Sequence, residues 1–201
     1  FTKWAKIDPQ MAAERAANDL SGTDRVTALE NTAWVWALND RAAAEEWALK
    51  LPEGEARNIT LTAVAVEWAL KDPTAAVRWA EAAQWALKLP KGETRNVVLN
   101  SVAVAWASEN PFAAGQWTLQ LPKGKDRDTA LGCVAVDWAL QDPFAAGQWA
   151  LQLPEEEIRY IAISGVVTPW AEKHPALAAQ WALKLPEGKS RDGALKCVAA
   201  G

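Results

Sequence analysis

Six arginines, Arg25, Arg57, Arg95, Arg127, Arg159 and Arg191, stand 32, 38, 32, 32 and 32 residues apart. Between them the chain repeats whole phrases: residues 110–122 read NPFAAGQWTLQLP and residues 142–154 read DPFAAGQWALQLP. A fixed interval of this length marks a chain assembled from copies of one small supersecondary unit, none of which closes a core by itself. The interval is itself divided. Pro9, Pro73, Pro111, Pro143 and Pro175 fall 16 residues after an arginine or its expected place, with Arg41 standing where a proline would be. The one long interval lies in residues 72–90, DPTAAVRWAEAAQWALKLP, where a second Ala-Ala-x-Trp-like phrase puts Trp79 and Trp85 in place of a single tryptophan. Six added residues lengthen a helix by about 1.7 turns.

Each half reads as a helix. The module that opens on arginine carries apolar residues at offsets 4, 7, 8, 11 and 12, as in Leu131, Val134, Ala135, Trp138 and Ala139, which is helical spacing. The module that opens on proline has Ala145, Ala146, Trp149, Ala150 and Leu153 on one face of a shorter helix. Asp72, Asn110 and Asp142 are good N-cap residues, and proline suits the first helical position because its missing N–H leaves nothing unpaired there. Leucine precedes Pro52, Pro90, Pro122, Pro154 and Pro186, and a residue before proline is pushed out of the α region. Gly54, Gly92, Gly124 and Gly188 then permit a tight turn. The expectation is an all-α domain over 1–201, with units at roughly 1–24 (partial), 25–56, 57–94 (with the insertion), 95–126, 127–158, 159–190 and 191–201 (partial). Small residues at arginine plus 6 (Asn31, Ala63, Ser101, Cys133, Gly165, Cys197) would let neighbouring helices approach closely.

The composition narrows the classes of function. Half the residues are apolar, enough for a sizeable core, and the net charge of −4 speaks against a phosphate-binding surface and so against a nucleic-acid partner. No apolar run approaches the roughly 18 residues of a membrane span and no leader opens the chain, so a soluble protein without membrane insertion is expected; its localisation is not legible. The start at Phe1 and the partial repeats at both ends suggest a stretch of a longer array whose uncapped ends could associate head to tail.

The first helix of each repeat, Leu-x-x-Val-Ala-x-x-Trp at Leu61, Val64, Ala65 and Trp68 and again from Leu99, Leu131 and Leu195, resembles the first helix of a tetratricopeptide repeat. The second helix is similar for half its length, Ala145 and Trp149 having the Ala-x-x-x-aromatic spacing, before its early proline. HEAT-like and other helical-hairpin solenoids are near neighbours. The resemblance implies a right-handed α-solenoid of about six 32-residue helix-turn-helix repeats that binds a protein or peptide along its first helices. Its groove columns would fall at arginine plus 2 (Ile59, Val97, Thr129, Ile161), plus 5 (Thr62, Asn100, Gly132, Ser164) and plus 9 (Val66, Val104, Val136, Thr168). These carry almost no charge, so an uncharged ligand or a helix laid in the groove is expected, and a carboxylate clamp, with only Asn100 of its usual residues, is not. The partner-binding candidates are Thr62, Val66, Asn100, Val104, Val136, Ser164 and Thr168. The plus-5 column also runs from Glu30 to Lys196 and varies most, as a recognition surface should.

The remaining features read as structure. The arginine column opens a helix, where a cation is unfavourable, so it calls for a tether: carbonyls at the end of the preceding helix, or a turn aspartate. A guanidinium ladder for an acidic partner is the other reading. Gln84, Gln116, Gln148 and Gln180, with Glu46, border the buried stripe. The 13 tryptophans are core by their period, with Trp34 and Trp79 outside the main columns and expected to be exposed. His174, the single histidine, takes an N-cap place, and Cys133 and Cys197 stand two repeats apart, too far for a disulfide. No catalytic or cofactor-binding set is visible. A non-catalytic scaffold without cofactor is expected, with a structural spacer as the alternative and a one-base-per-repeat nucleic-acid reader behind it.

Overall fold

A computed structural model describes residues 2–70 and 75–200; Asp72 and Pro73 of the inserted repeat, and the side chain of Trp68, lie outside what it describes. Among the described residues there are thirteen helices and no strand. They are α1 (Thr2–Ala5), α2 (Pro9–Asp19), α3 (Gly22–Asn39), α4 (Arg41–Lys50), α5 (Glu55–Leu70), α6 (Ala75–Lys88), α7 (Glu93–Glu109), α8 (Pro111–Gln120), α9 (Lys125–Gln141), α10 (Pro143–Leu151), α11 (Glu156–Lys173), α12 (Pro175–Leu183) and α13 (Lys189–Ala200). The chain divides into two compact units, Phe1–Val102 and Ala103–Gly201.

Both units pack by the same rule. In the first, α3 lies against α5 and each packs on the short α4 between them; in the second, α9 lies against α11, with α10 packed on both, and α11 lies in turn against α13 with α12. The residues at offsets 4, 7, 8, 11 and 12 from Arg127 in α9 are all buried, as are Ala146, Trp149 and Ala150 of the short helix and Leu153 just beyond its end. Within a repeat the two tryptophans meet: ring centroids are 5.8 Å apart for Trp36 and Trp47, 5.3 Å for Trp138 and Trp149, and 5.7 Å for Trp170 and Trp181. Tilted aromatic pairs at such distances add to the burial itself.

The local signals work as the residues dictate. The carboxylate oxygens of Asp8, Asp40 and Asp142 and the amide oxygen of Asn110 accept from backbone N–H groups in the first turns of their helices, at 2.9–3.1 Å. His174 takes the same place without a side-chain cap bond. Gly54, Gly124 and Gly188 turn with φ near +140 to +150°, a region closed to most side chains.

The repeated Gly in AAGQW has a packing reason. A methyl group on Gly115 would stand 2.8 Å from Trp149 Cζ2, and one on Gly147 would stand 2.7 Å from Trp181 Cζ2. Each indole therefore lies across the glycine of the preceding short helix. Glu45 holds the same place in α4, and there its carboxylate accepts the N–H of Trp85 at 2.6 Å. A second close approach occurs at the small-residue column, where a Cβ on Gly165 would lie 3.0 Å from Ala135 Cβ and 3.1 Å from the Gly132 carbonyl.

Trp79 departs from the expectation. It is 1% exposed, because the insertion makes α6 a 14-residue helix in which Trp79, Ala82, Ala83 and Ala86 share one buried stripe. The helix runs unbroken through residues 78–84.

Candidate functional site

The arginines open the longer helices half-buried or, at Arg127, buried. Arg127, Arg159 and Arg191 lie beside carboxylates at helix starts and in the turns, the second of the two expected kinds of tether. Arg127 lies 3.5 Å from Glu155 of the next turn and 3.3 Å from Asp128, Arg159 lies 3.3 Å from Glu156, and Arg191 lies 3.6 Å from Glu187. Around them the turns are tied at the repeat interval: Lys123 donates to Glu155 at 3.0 Å, Lys189 donates to Glu157 at 2.6 Å, and the Ser190 hydroxyl donates to Glu156 at 2.8 Å. The Lys123 hydrogen bond, with Arg127 adding, holds the Glu155 carboxyl below the usual carboxylate range, and the Ser190 bonds do the same for Glu156. A cavity of about 540 Å³ opens at this edge between Leu151, Arg159 and the turn at Leu185–Ser190. The contacts of Lys123, Arg127, Lys189 and Ser190 join one turn to the next, while those of Arg159 and Arg191 stay within their own helix start.

The larger cavity, about 910 Å³, lies in the first unit on the open side of the longer helices. Three helical stripes line it, each stepping by one turn: Val26, Glu30 and Trp34 from α3; Asn58, Thr62 and Val66 from α5; Glu93, Val97 and Ser101 from α7. The opposite faces of α3 and α5 are spent on the core, with Leu29, Ala33, Leu61, Val64 and Ala65 buried, so this side is left to solvent by the same period that fills the interior. Trp34 is 44% exposed, as its position outside the buried columns implied. The oxygens Asn58 Oδ1 and Thr62 Oγ1 are buried and have no hydrogen-bond partner.

Of the candidate groove residues, Thr62 and Val66 are brought together here, joined by Ile59 and Val97 of the plus-2 column. Asn100 is half-buried and is not part of the cavity lining. In the second unit Val104, Val136 and Thr168 are exposed and Ser164 is half-buried. There the site of a Cβ on Gly165 is 3.5 Å from Val136, and that of one on Gly132 is 3.6 Å from Ile161, so the columns of α9 and α11 share a face. The Thr168 hydroxyl is bonded to the Ser164 carbonyl at 2.8 Å.

Sequence reasoning missed Asn58, Glu55 and Glu93, all of which line the cavity. The signal was available: a stripe through plus 2, 5 and 9 continues one turn back to plus 1 and minus 2, where these residues stand. Glu55 and Glu93 set an acidic margin beside the nearly uncharged plus-2, plus-5 and plus-9 columns. Gln84, Gln116, Gln148 and Gln180 are exposed beside the buried stripe, at its solvent edge. Among the described residues there is no cluster able to hold a metal ion, and no helix is long and apolar enough to cross a membrane. Cys133 and Cys197 are free thiols, and burial pushes the Cys133 thiol up. A comparison with protein-family models found no match, and comparisons with curated proteins and with solved structures found none either.

Proposed function

We propose that the chain is a non-catalytic interaction scaffold of tetratricopeptide-like helical repeats, arranged as a solenoid, that holds a segment of another protein on the open face of its longer helices. The observation that carries this reading is the cavity of about 910 Å³ lined by matching turns of α3, α5 and α7. Repeat packing leaves one side of each longer helix uncovered, and a row of such sides forms a continuous surface whose chemistry can vary from unit to unit without disturbing the core. The packing of α3 on α5, α9 on α11 and α11 on α13 supports the solenoid arrangement. Exposed Trp34 and half-buried Val66 supply the kind of apolar anchor that dominates binding energy at such surfaces.

A second reading, a structural spacer, is favoured by the ties between turns at Lys123–Glu155 and Lys189–Glu157, which stiffen the stack whatever lies in the groove. Selection of peptides from a displayed random library separates the two. Under the scaffold reading, peptides are enriched on the intact chain and lose binding by at least about tenfold, roughly 1.4 kcal/mol, on Val66→Glu or Trp34→Ala. Failure to enrich any peptide, or enrichment indifferent to both changes while the helical circular dichroism stays constant, leaves the spacer reading in place.

A further inference from the structure

We propose, resting on the scaffold reading, that the cavity of the first unit takes a cationic amphipathic helix, with its apolar side chains against Trp34, Ile59 and Val66 and its lysines or arginines toward Glu30, Glu55 and Glu93. All six residues line the cavity, and no lysine or arginine does. None of the three carboxylates forms an ion pair among the described residues, whereas Glu155, Glu156 and Glu157 at a turn of the second unit are all paired. Glu55 and Glu93 stand in the first turns of α5 and α7, where the helix dipole alone would favour a negative charge. Glu30 has no such reason. It sits in the middle of α3, one turn before the exposed Trp34 on the same stripe, at a position that is threonine, asparagine, glycine or serine in the next four repeats.

The electrostatics and the shape point to the same occupant. The acidic residues face an apolar floor formed by Ile59, Val66 and the Trp34 ring, so a purely polar cation would leave that floor uncovered and a purely apolar helix would leave three carboxylates facing low-dielectric surface. A cation beside an exposed indole gains further from the ring face. The volume of about 910 Å³ lies within the range of about 300–1,000 Å³ common to ligand pockets and admits the side chains of one helix face. Helix-in-groove recognition asks for anchors along one stripe of the ligand, which the three parallel stripes of the cavity match.

The test uses the whole chain and a fluorescein-labelled peptide made of the heptad Leu-Lys-Lys-Leu-Leu-Lys-Leu written twice, with versions in which every lysine is glutamine or glutamate, read by anisotropy. The lysine peptide is expected to bind, to weaken about tenfold on Glu30→Gln/Glu55→Gln/Glu93→Gln and on raising salt from about 50 to about 300 mM, and to be unaffected by the control Glu14→Gln/Glu81→Gln/Glu109→Gln. The glutamate peptide is expected not to bind. The inference is overturned if the glutamine peptide binds as tightly as the lysine peptide, if both triple variants weaken the lysine peptide equally, or if no peptide binds. Library-selected peptides that lose binding on Val66→Glu yet carry no excess of basic residues would also overturn it while leaving the scaffold reading standing. Failure of the selection itself would remove the scaffold reading.

Discussion

Truncating Trp149 to alanine is expected to cost the second unit about 3–5 kcal/mol and to reverse the sign of what Gly115→Ala does. Trp149 is 5% exposed, lies 5.3 Å from the Trp138 ring by centroids, and covers Gly115 so closely that a Cβ there would meet its Cζ2 at 2.8 Å. In the intact chain Gly115→Ala should therefore destabilise by about 1–2 kcal/mol, since the ring is locked in the core and has to shift. In the Trp149→Ala background the obstruction is gone, and the same change should stabilise by about 0.5–1 kcal/mol, as glycine replaced by alanine does inside a helix. Denaturant unfolding of the four chains of this cycle reads the coupling directly. Additive effects, or a stabilising Gly115→Ala in the intact chain, would mean that the indole does not lie across the glycine.

The second large effect contrasts two positions on one helix. Leu131 of α9 is fully buried, and Leu131→Ala is expected to cost about 2–5 kcal/mol. Val136, five residues on, is 37% exposed on the open face, and Val136→Ala should change stability by less than about 0.5 kcal/mol. The same measurement on both variants assigns the two faces of α9. Comparable losses would mean that the open face is covered within the fold, and the groove columns would then be core.

What could be read from the sequence was set by period. A residue's offset from the arginine fixes its side of the helix, so the buried stripe of α9 followed from spacing and the caps from Asp or Asn ahead of proline, whereas the meeting of the two tryptophans of a repeat is a contact between helices that spacing does not give. The exposure of Trp34 followed in the same way, because plus 9 lies outside the buried set. Trp79 defeated the method. The insertion moved it out of register with every other repeat, and only the continuous turn of α6, which lines it up with Ala82, Ala83 and Ala86, decides that it is buried. The glycine in AAGQW has no reason legible in its own helix, since its cause is an indole in the following repeat. Trp85 and Glu45 make the same inter-repeat contact at an offset lengthened by the six inserted residues. Glu30 stood in the plus-5 column, but Glu55 and Glu93 of the cavity's acidic margin escaped because they read locally as ordinary first-turn acids.

The most direct measurement of the account is amide hydrogen exchange of the whole chain with and without a peptide selected from the displayed library. A ligand held by the open face should slow exchange in the segments that carry the stripes, Val26–Trp34 of α3, Glu55–Val66 of α5 and Glu93–Ser101 of α7, and leave α4 and α12 unchanged. Slowing confined to the short helices, or to the turn at Leu185–Ser190, would place the binding surface elsewhere and contradict the assignment of the open face as the working face.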